Sequence, residues 1–476
     1  MRLEGLAAPG SVCLSGTVRD HIGDRLPYAF EDMGEQSVKN IARPVRVYAL
    51  RAEGIARLPT AAVSSTTPSS PPLAAPRLSI VVLPFTNLGD DREQQYFADG
   101  ITEDLTTDLS RLGNMFVISR NTAFTYRNRP IDTKQIGREV GVRYVLEGSV
   151  RRSGSHVRVN AQLIDTETDA HLWAERFDCD TGDLFALQDQ VTSRIAVALN
   201  LELIGAEATR PTEHPDALDY ILRGRAIWAK PPSRDNFAEA IGLFESALAL
   251  DPRSVEAQSC LAAALSDRVV SWRDSPVADI ARAEELVGQA LARSPRGWLA
   301  HNAKGNLLRA QRRFAEAIPE YETVLASNRN WVTALHALGH CKLFAGSIDE
   351  VIPLVEHAIR LSPRDPEIGI WYFEIGRVHL LQSRVDEAIL WLEKARNANT
   401  EHPGPHVRLA SAYALKGETE RAAGELAEAR SLIGDGRYSS LASLKASYGY
   451  WGVPKIRALI EATYFAGLRK AGMPEE

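Results

Sequence analysis

Phe237-Ala-Glu-Ala-Ile-Gly-Leu-Phe-Glu-Ser-Ala-Leu-Ala-Leu-Asp-Pro252 decides the fold. Its small and apolar residues fall at helical spacing, and Pro252 stops the helix because proline has no amide donor and crowds the preceding turn. Related stretches begin at Ile280, Phe314, Ile348, Val385 and Thr419. Their matching residues are Ala240, Ala283, Ala317, Val351, Ala388 and Ala422, spaced by 43, 34, 34, 37 and 34. Three equal intervals of 34 mark an internal repeat. Twelve residues before four of these anchors stand Gly305, Gly339, Gly376 and Ala410. Gly224 and Ala262 fit the first two units once insertions are allowed.

Each unit reads as two antiparallel helices. A small residue midway along the first is expected to meet a small residue of the second where the axes come closest. Large residues such as Phe244, Tyr321 and Trp391 would fill the space beside that contact, and Pro295 and Pro363 stop further second helices. No unit can bury its apolar face alone, so the units stack. The period and small-residue positions over 216–431 resemble the tetratricopeptide repeat family, in about six units, with 432–476 as C-terminal capping helices. The resemblance implies an all-α superhelix whose concave face binds peptide segments.

In that family, positions two, five, nine and twelve of each first helix face the groove. Here they include Asn302, Asn306, Arg309, His336, His340, Phe373 and Arg377. These side chains are mostly donors, which suits an acidic or C-terminal carboxylate segment held by charge-assisted hydrogen bonds. The same residues also fit a solvated helix face. His336 and His340 have the i, i+4 spacing of a metal pair, but no acidic third ligand is apparent nearby and no metal is expected.

Upstream, the pattern changes. Residues 51–77 are dense in Pro, Ser, Thr and Ala and read as a linker. Residues 78–205 alternate strand and helix signals: strands at Leu78 to Phe85 and Met115 to Ile118, helices at Gln94 to Leu112 and Thr133 to Val140. Three further strands run Arg143 to Arg152, His156 to Ile164 and His171 to Phe177, and a closing helix runs from Asp183 to about Leu201. The chain is therefore multidomain, an α/β middle domain with a mixed sheet followed by the helical array. The stretches Val82-Leu-Pro-Phe-Thr-Asn-Leu-Gly, Tyr96-Phe-Ala-Asp-Gly-Ile-Thr-Glu-Asp-Leu and Tyr144-Val-Leu-Glu-Gly-Ser-Val-Arg-Arg-Ser-Gly resemble the module related to the N-terminal domain of TolB. That resemblance implies a non-enzymatic domain. Asp99-Gly100 at a helix start fits a ligand site or a plain local turn. Glu147, Arg151 and Arg152 fit a charged patch or a solvated strand, and His156 and His171 are lone histidines.

Arg2-Leu-Glu-Gly-Leu-Ala, Val12-Cys-Leu-Ser-Gly and Gly34-Glu-Gln-Ser-Val-Lys-Asn-Ile-Ala-Arg-Pro-Val-Arg-Val-Tyr48 resemble the C-terminal end of a class III adenylate cyclase domain. The alternation through Val45, Val47 and Ala49 reads as an edge strand. By that resemblance residues 1–50 are a remnant of the domain, Arg2 matches its transition-state arginine and Lys39 a phosphate-contacting lysine. The metal carboxylates have no counterpart here, and two-metal phosphoryl transfer without them loses its mechanism. The chain is thus expected to be non-catalytic as it stands, with Arg2 and Lys39 as surface cations. The alternative is that both serve cyclic AMP synthesis with a complementary cyclase chain. A complete cyclase domain in a longer chain implies a homodimer.

Bulk composition sets the remaining limits. The net charge of -6 offers no basic excess for nucleic acid. The four cysteines, Cys13, Cys179, Cys260 and Cys341, form no CxxC pair and read as reduced thiols. No apolar run approaches the roughly 20 residues of a membrane span, and no secretory signal is visible, so a cytoplasmic protein without cofactor is expected. No phosphate loop, dinucleotide fingerprint, GxSxG or HExxH motif occurs. The functional expectation is a partner-binding scaffold in cyclic nucleotide signalling.

Overall fold

A computed structural model describes residues 12–16, 19, 30–36, 44–50, 75–89, 92–112, 115–127, 129, 132–153, 156–180, 184–210, 212, 215–271, 276–433, 436–448 and 452–476. Two compact units, Met1–Ala74 and Ala75–Glu476, make up the chain. Arg2, Lys39 and the linker residues 51–74 lie outside the described residues.

The first unit holds β1 (Val12–Ser15), β2 (Glu31–Gln36) and β3 (Val45–Leu50), in the order β1-β3-β2. Both pairings are antiparallel. Val45–Leu50 is therefore the central strand, not the edge strand its alternation suggested. Alternation reports which face is buried, here Val47 and Ala49, and says nothing about how many neighbours a strand has. Arg46, on the exposed face, pairs with Asp32 at 2.6 Å.

The second unit opens with β4 (Ser79–Val82), β5 (Thr86–Asn87), α1 (Arg92–Ser110), β6 (Phe116–Val117), α2 (Arg120–Phe124) and α3 (Thr133–Val140). It continues with β7 (Tyr144–Ser153), β8 (His156–Asp165), β9 (Ala170–Asp180) and α4 (Leu184–Ala208). The sheet order is β6-β4-β7-β8-β9, parallel through β7 and antiparallel beyond it, with β5 also pairing β7. The strand expected over Leu78 to Phe85 is thus split in two, because Pro84 cannot donate to a ladder. One sheet face packs Ile80, Leu146 and Leu163 against Ile101, Leu105 and Leu109 of α1 and Val191, Ile195 and Leu199 of α4. The other face packs Val81 and Val145 against Ala123 of α2 and Ile136 of α3.

Asp99 and Gly100 lie inside α1 rather than at its start. Asp99 is paired with Arg127, and an added Cβ on Gly100 would lie 2.6 Å from Gln188 of α4, so helix packing accounts for both. Helix α4 also runs past Leu201. Near its end Glu207 accepts from Tyr144 Oη at 2.5 Å and faces Arg143 at 3.1 Å, and that buried cluster extends the helix beyond its apolar stripe.

Six helix pairs follow: α5 (Ala217–Trp228) with α6 (Arg234–Leu250), α7 (Val255–Ser271) with α8 (Pro276–Arg293), and α9 (Trp298–Ala310) with α10 (Phe314–Ser327). Then come α11 (Val332–Ala345) with α12 (Val351–Leu361), α13 (Ile368–Leu381) with α14 (Val385–Ala398), and α15 (Pro403–Lys416) with α16 (Thr419–Ile433). The anchors Ala240, Ala317, Ala388 and Ala422 are fully buried. The contact at the helix crossing differs from the expectation of small against small. Gly305 lies under the Tyr321 ring, where an added Cβ would be 2.8 Å from it, and Gly376 lies under Leu392 at 2.7 Å. Glycine here makes room for a large side chain. The space-filler in the fifth pair is Leu392, while Trp391 is only half-buried and lies beside Tyr372.

Helices α17 (Leu441–Tyr448), α18 (Pro454–Ile460) and α19 (Ala466–Lys470) end the chain. They return onto the array. Val453 N donates to Phe344 O of α11 at 3.0 Å, and Gly467 packs directly on Ser411 of α15. The middle domain is bound to the array as well. Arg77, within the stretch read as linker, pairs with Asp219 of α5 at 2.5 Å. Arg329, before α11, reaches Asp189 at 3.2 Å and Asp108 at 3.4 Å, and Val197 of α4 joins the array's own core. Among the described residues, no helix is long and apolar enough to cross a membrane.

Candidate functional site

The first helices of the pairs line a common cavity of about 310 Å³. Helical periodicity repeats one set of positions along each inner helix, so the same face recurs from unit to unit. Asn302, Asn306 and Arg309 of α9, His336 and His340 of α11, and Phe373 and Arg377 of α13 all lie in its wall. Two features that the repeat pattern did not reveal close it in. Ala196, Val197, Asn200, Leu201 and Ile204 of α4 line it, as do Leu444, Ile460, Tyr464 and Phe465 of the C-terminal helices.

The donors expected to face an acidic partner are already engaged within the array. Arg309 is paired with Asp267 of α7, and Asn306 Oδ1 accepts from Tyr321 Oη at 2.7 Å. Arg377 is paired with Glu374, one helical turn away on α13, and also meets His340 Nδ1 at 2.9 Å. Arg225 holds Glu256 at 3.0 Å. The face is therefore charge-balanced rather than cationic. Sequence reasoning missed Asp267, whose helix fits the repeat only after an insertion. It also missed Glu374, although the i, i+3 spacing to Arg377 signals an ion pair.

Glu374 is the acidic neighbour of the histidine pair that was not apparent in the sequence. Its Oε2 lies 3.4 Å from His340 Nδ1 and 3.9 Å from His336 Nε2. The Arg377 guanidinium binds that same oxygen. Among the described residues no group of three His, Cys, Asp or Glu side chains is arranged to hold a metal ion.

Burial dominates the titration of this cluster. It pushes His336 down to about 3 and His340 down to about 4, with Arg377 and Arg309 adding to the push and Glu374 opposing it. Burial alone would raise Glu374, but Arg377 and His340 outweigh it and hold the carboxyl well below its usual range. Burial, with Asp365 and Asp267 nearby, raises Glu367 to about 8. Both cysteines of the array, Cys260 and Cys341, are pushed up to about 12 by burial, which keeps them as unreactive thiols.

Acid should therefore destabilise the array. Below pH 6.5 the unfolded chain protonates His336 and His340 while the folded state keeps both neutral until about pH 4, so stability falls across that window. Each histidine contributes a slope of about 1.4 kcal/mol per pH unit. Urea midpoints measured from pH 7.5 to pH 4.5 check this. The paired variant His336→Gln/His340→Gln is expected to flatten the decline.

Residues 277–330 and 337–403 match the tetratricopeptide repeat family. Residues 76–194 match the second domain of HilA/YgeH-like transcriptional regulators. A protein of Rhizobium meliloti (strain 1021) named "Putative adenylate cyclase 3" is 40% identical over 295 residues, which is 61% of this chain and 49% of that protein. The chain thus spans about half the length of the curated relative it matches. Among solved structures, the APC/C hetero-tetramer Cut9–Hcn1 is similar at TM-score 0.40 and 15% identity, over 55% of this chain and 48% of that one. TolB from Acinetobacter baumannii is similar at TM-score 0.20 and 21% identity, over 27% of this chain and 28% of that one.

Proposed function

We propose that this chain is the non-catalytic, partner-binding region of an adenylate cyclase-type signalling protein, and that its repeat cavity takes up a polypeptide segment of the partner. Tetratricopeptide repeats are protein-interaction modules. The observation that carries the reading to this site is the convergence of seven inward side chains from three successive inner helices on one shared wall. The likeness to a protein named as an adenylate cyclase supports the signalling context. The middle domain, which we read as a TolB N-terminal-like module, lends α4 to the cavity and so couples occupancy to the rest of the chain.

A cavity-filling variant tests the reading without touching the buried ion pairs. Thr333 is an exposed residue at the start of α11 that lines the cavity. Thr333→Trp should fill the space and leave the fold intact, since the added ring replaces solvent rather than core. Immobilised wild-type chain is expected to retain specific proteins that Thr333→Trp loses by at least about tenfold, a difference of about 1.4 kcal/mol. Equal retention of the same proteins by both chains, read by quantitative mass spectrometry, would remove the cavity from the account.

A further inference from the structure

Most charges in the cavity wall are paired, and among the described residues Glu367 and Arg408 stand apart. Arg225, Arg309 and Arg377 each face a carboxylate of the array. Asp108 is held by Arg111, Arg329 and Asn330. Asp365 accepts from Glu367 N at 2.9 Å. The Glu367 carboxyl, at the N-terminal end of α13, lines the cavity with no ion pair or hydrogen bond among the described residues, and Asp365, Asp267 and Arg309 act on it only at longer range. Arg408 of α15 is the converse. Its guanidinium lies 4.5 Å from the Phe373 ring centre and 4.9 Å from that of Tyr464, a cation held between two aromatic faces with no carboxylate on it. His336, more than nine-tenths buried in the same wall, leaves Nε2 without a hydrogen bond.

We propose that the cavity binds a short dipolar peptide segment, seating a lysine or arginine side chain on Glu367 and an aspartate or glutamate side chain on Arg408. The proposal rests on the reading of this cavity as the partner site and names the partner's chemistry. Glu367 opens α13, and Phe373, whose ring carries Arg408, follows six residues later on the same helix. An extended peptide advances about 3.3 Å per residue, so a Lys and an Asp three residues apart stand about 10 Å apart, a reach on the scale of two helix turns. The apolar wall between them, including Ile370, suits the intervening side chains. A cation on Glu367 restores the ionised carboxylate that burial disfavours, so binding strengthens from pH 6 to pH 8. An acidic-only segment would bring Glu367 no cation against which to ionise.

Fluorescence anisotropy of the full chain with dye-labelled, end-blocked peptide pools tests the assignment. The pools are Lys-Xaa-Xaa-Asp, Gln-Xaa-Xaa-Asp, Lys-Xaa-Xaa-Asn and Gln-Xaa-Xaa-Asn, each made in both chain directions, with Xaa an equal mixture of apolar residues. The first pool is expected to bind at least about tenfold tighter than the second and the third, as a charge-assisted contact of this size gives. Glu367→Gln should erase the preference for Lys over Gln while leaving that for Asp over Asn. Arg408→Gln should do the reverse, and Arg408→Lys should keep the Asp preference in part. Equal binding of all four pools that Thr333→Trp abolishes overturns the dipolar assignment and leaves the partner site standing. Tightest binding of the uncharged pool overturns the assignment too, and absence of binding by every pool overturns both.

Discussion

Glu374→Leu is expected to lower the stability of the chain by about 3–5 kcal/mol, the usual loss when one partner of a buried ion pair is removed. Glu374 is 1% exposed and Arg377 is 6% exposed. The leucine would leave the guanidinium facing His336 and His340, which burial keeps neutral, and the aromatic rings of Phe344 and Phe373. None of these can replace a carboxylate. The double variant Glu374→Leu/Arg377→Met removes both charges at nearly constant volume and should recover most of the loss, because an apolar replacement of a buried pair is often neutral. Urea denaturation followed by tryptophan fluorescence reads this directly, since Trp371 is buried on the same helix. A single-variant loss under about 1 kcal/mol, or a double variant worse than the single, would mean that the pair is solvated and carries little of the packing at this face of α13.

The second large effect separates two glycines that the repeat treats as equivalent. Gly305→Ala should destabilise by about 1–3 kcal/mol, the typical cost of overpacking. Its Cβ would stand 2.8 Å from the Tyr321 ring, and that ring is fully buried with its hydroxyl fixed on Asn306. The ring cannot retreat without giving up the hydrogen bond. Gly339→Ala should be neutral or stabilising by up to about 1 kcal/mol, because alanine is the better helix former. There the nearest side chain, Val355, is 3.4 Å from the new Cβ, an ordinary contact. Thermal and urea midpoints of the two variants check the contrast, and equal losses at both sites would refute the packing account. Gly376→Ala, under Leu392 at 2.7 Å, belongs with Gly305→Ala.

That contrast shows how far the repeat could be read. The 34-residue spacing located Gly305, Gly339 and Gly376 on equivalent turns, but which large residue lies over each glycine depends on the second helix of the pair, where Tyr321, Val355 and Leu392 differ in size. The seven inward positions were legible for the same reason as the glycines. One face of a helix recurs every 3.6 residues, so a fixed pattern along successive first helices points to one wall. Arg408 escaped that pattern. It is drawn into the wall by Tyr464, 56 residues later, through a stack that no local spacing encodes.

By itself the sequence determined the helix pairs of the array, the mixed character of the sheet through its runs of strand and helix signal, and the residues that face inward. Each of these follows from contacts between residues close in the chain, where periodicity and proline or glycine placement act directly. Only the tertiary structure decided that Val45–Leu50 is a central strand, that Arg309 and Arg377 are already neutralised, and that α4 and the C-terminal helices wall in the concave face. Those outcomes depend on partners such as Asp267 and Arg309, which are 42 residues apart and meet only once the helices have stacked.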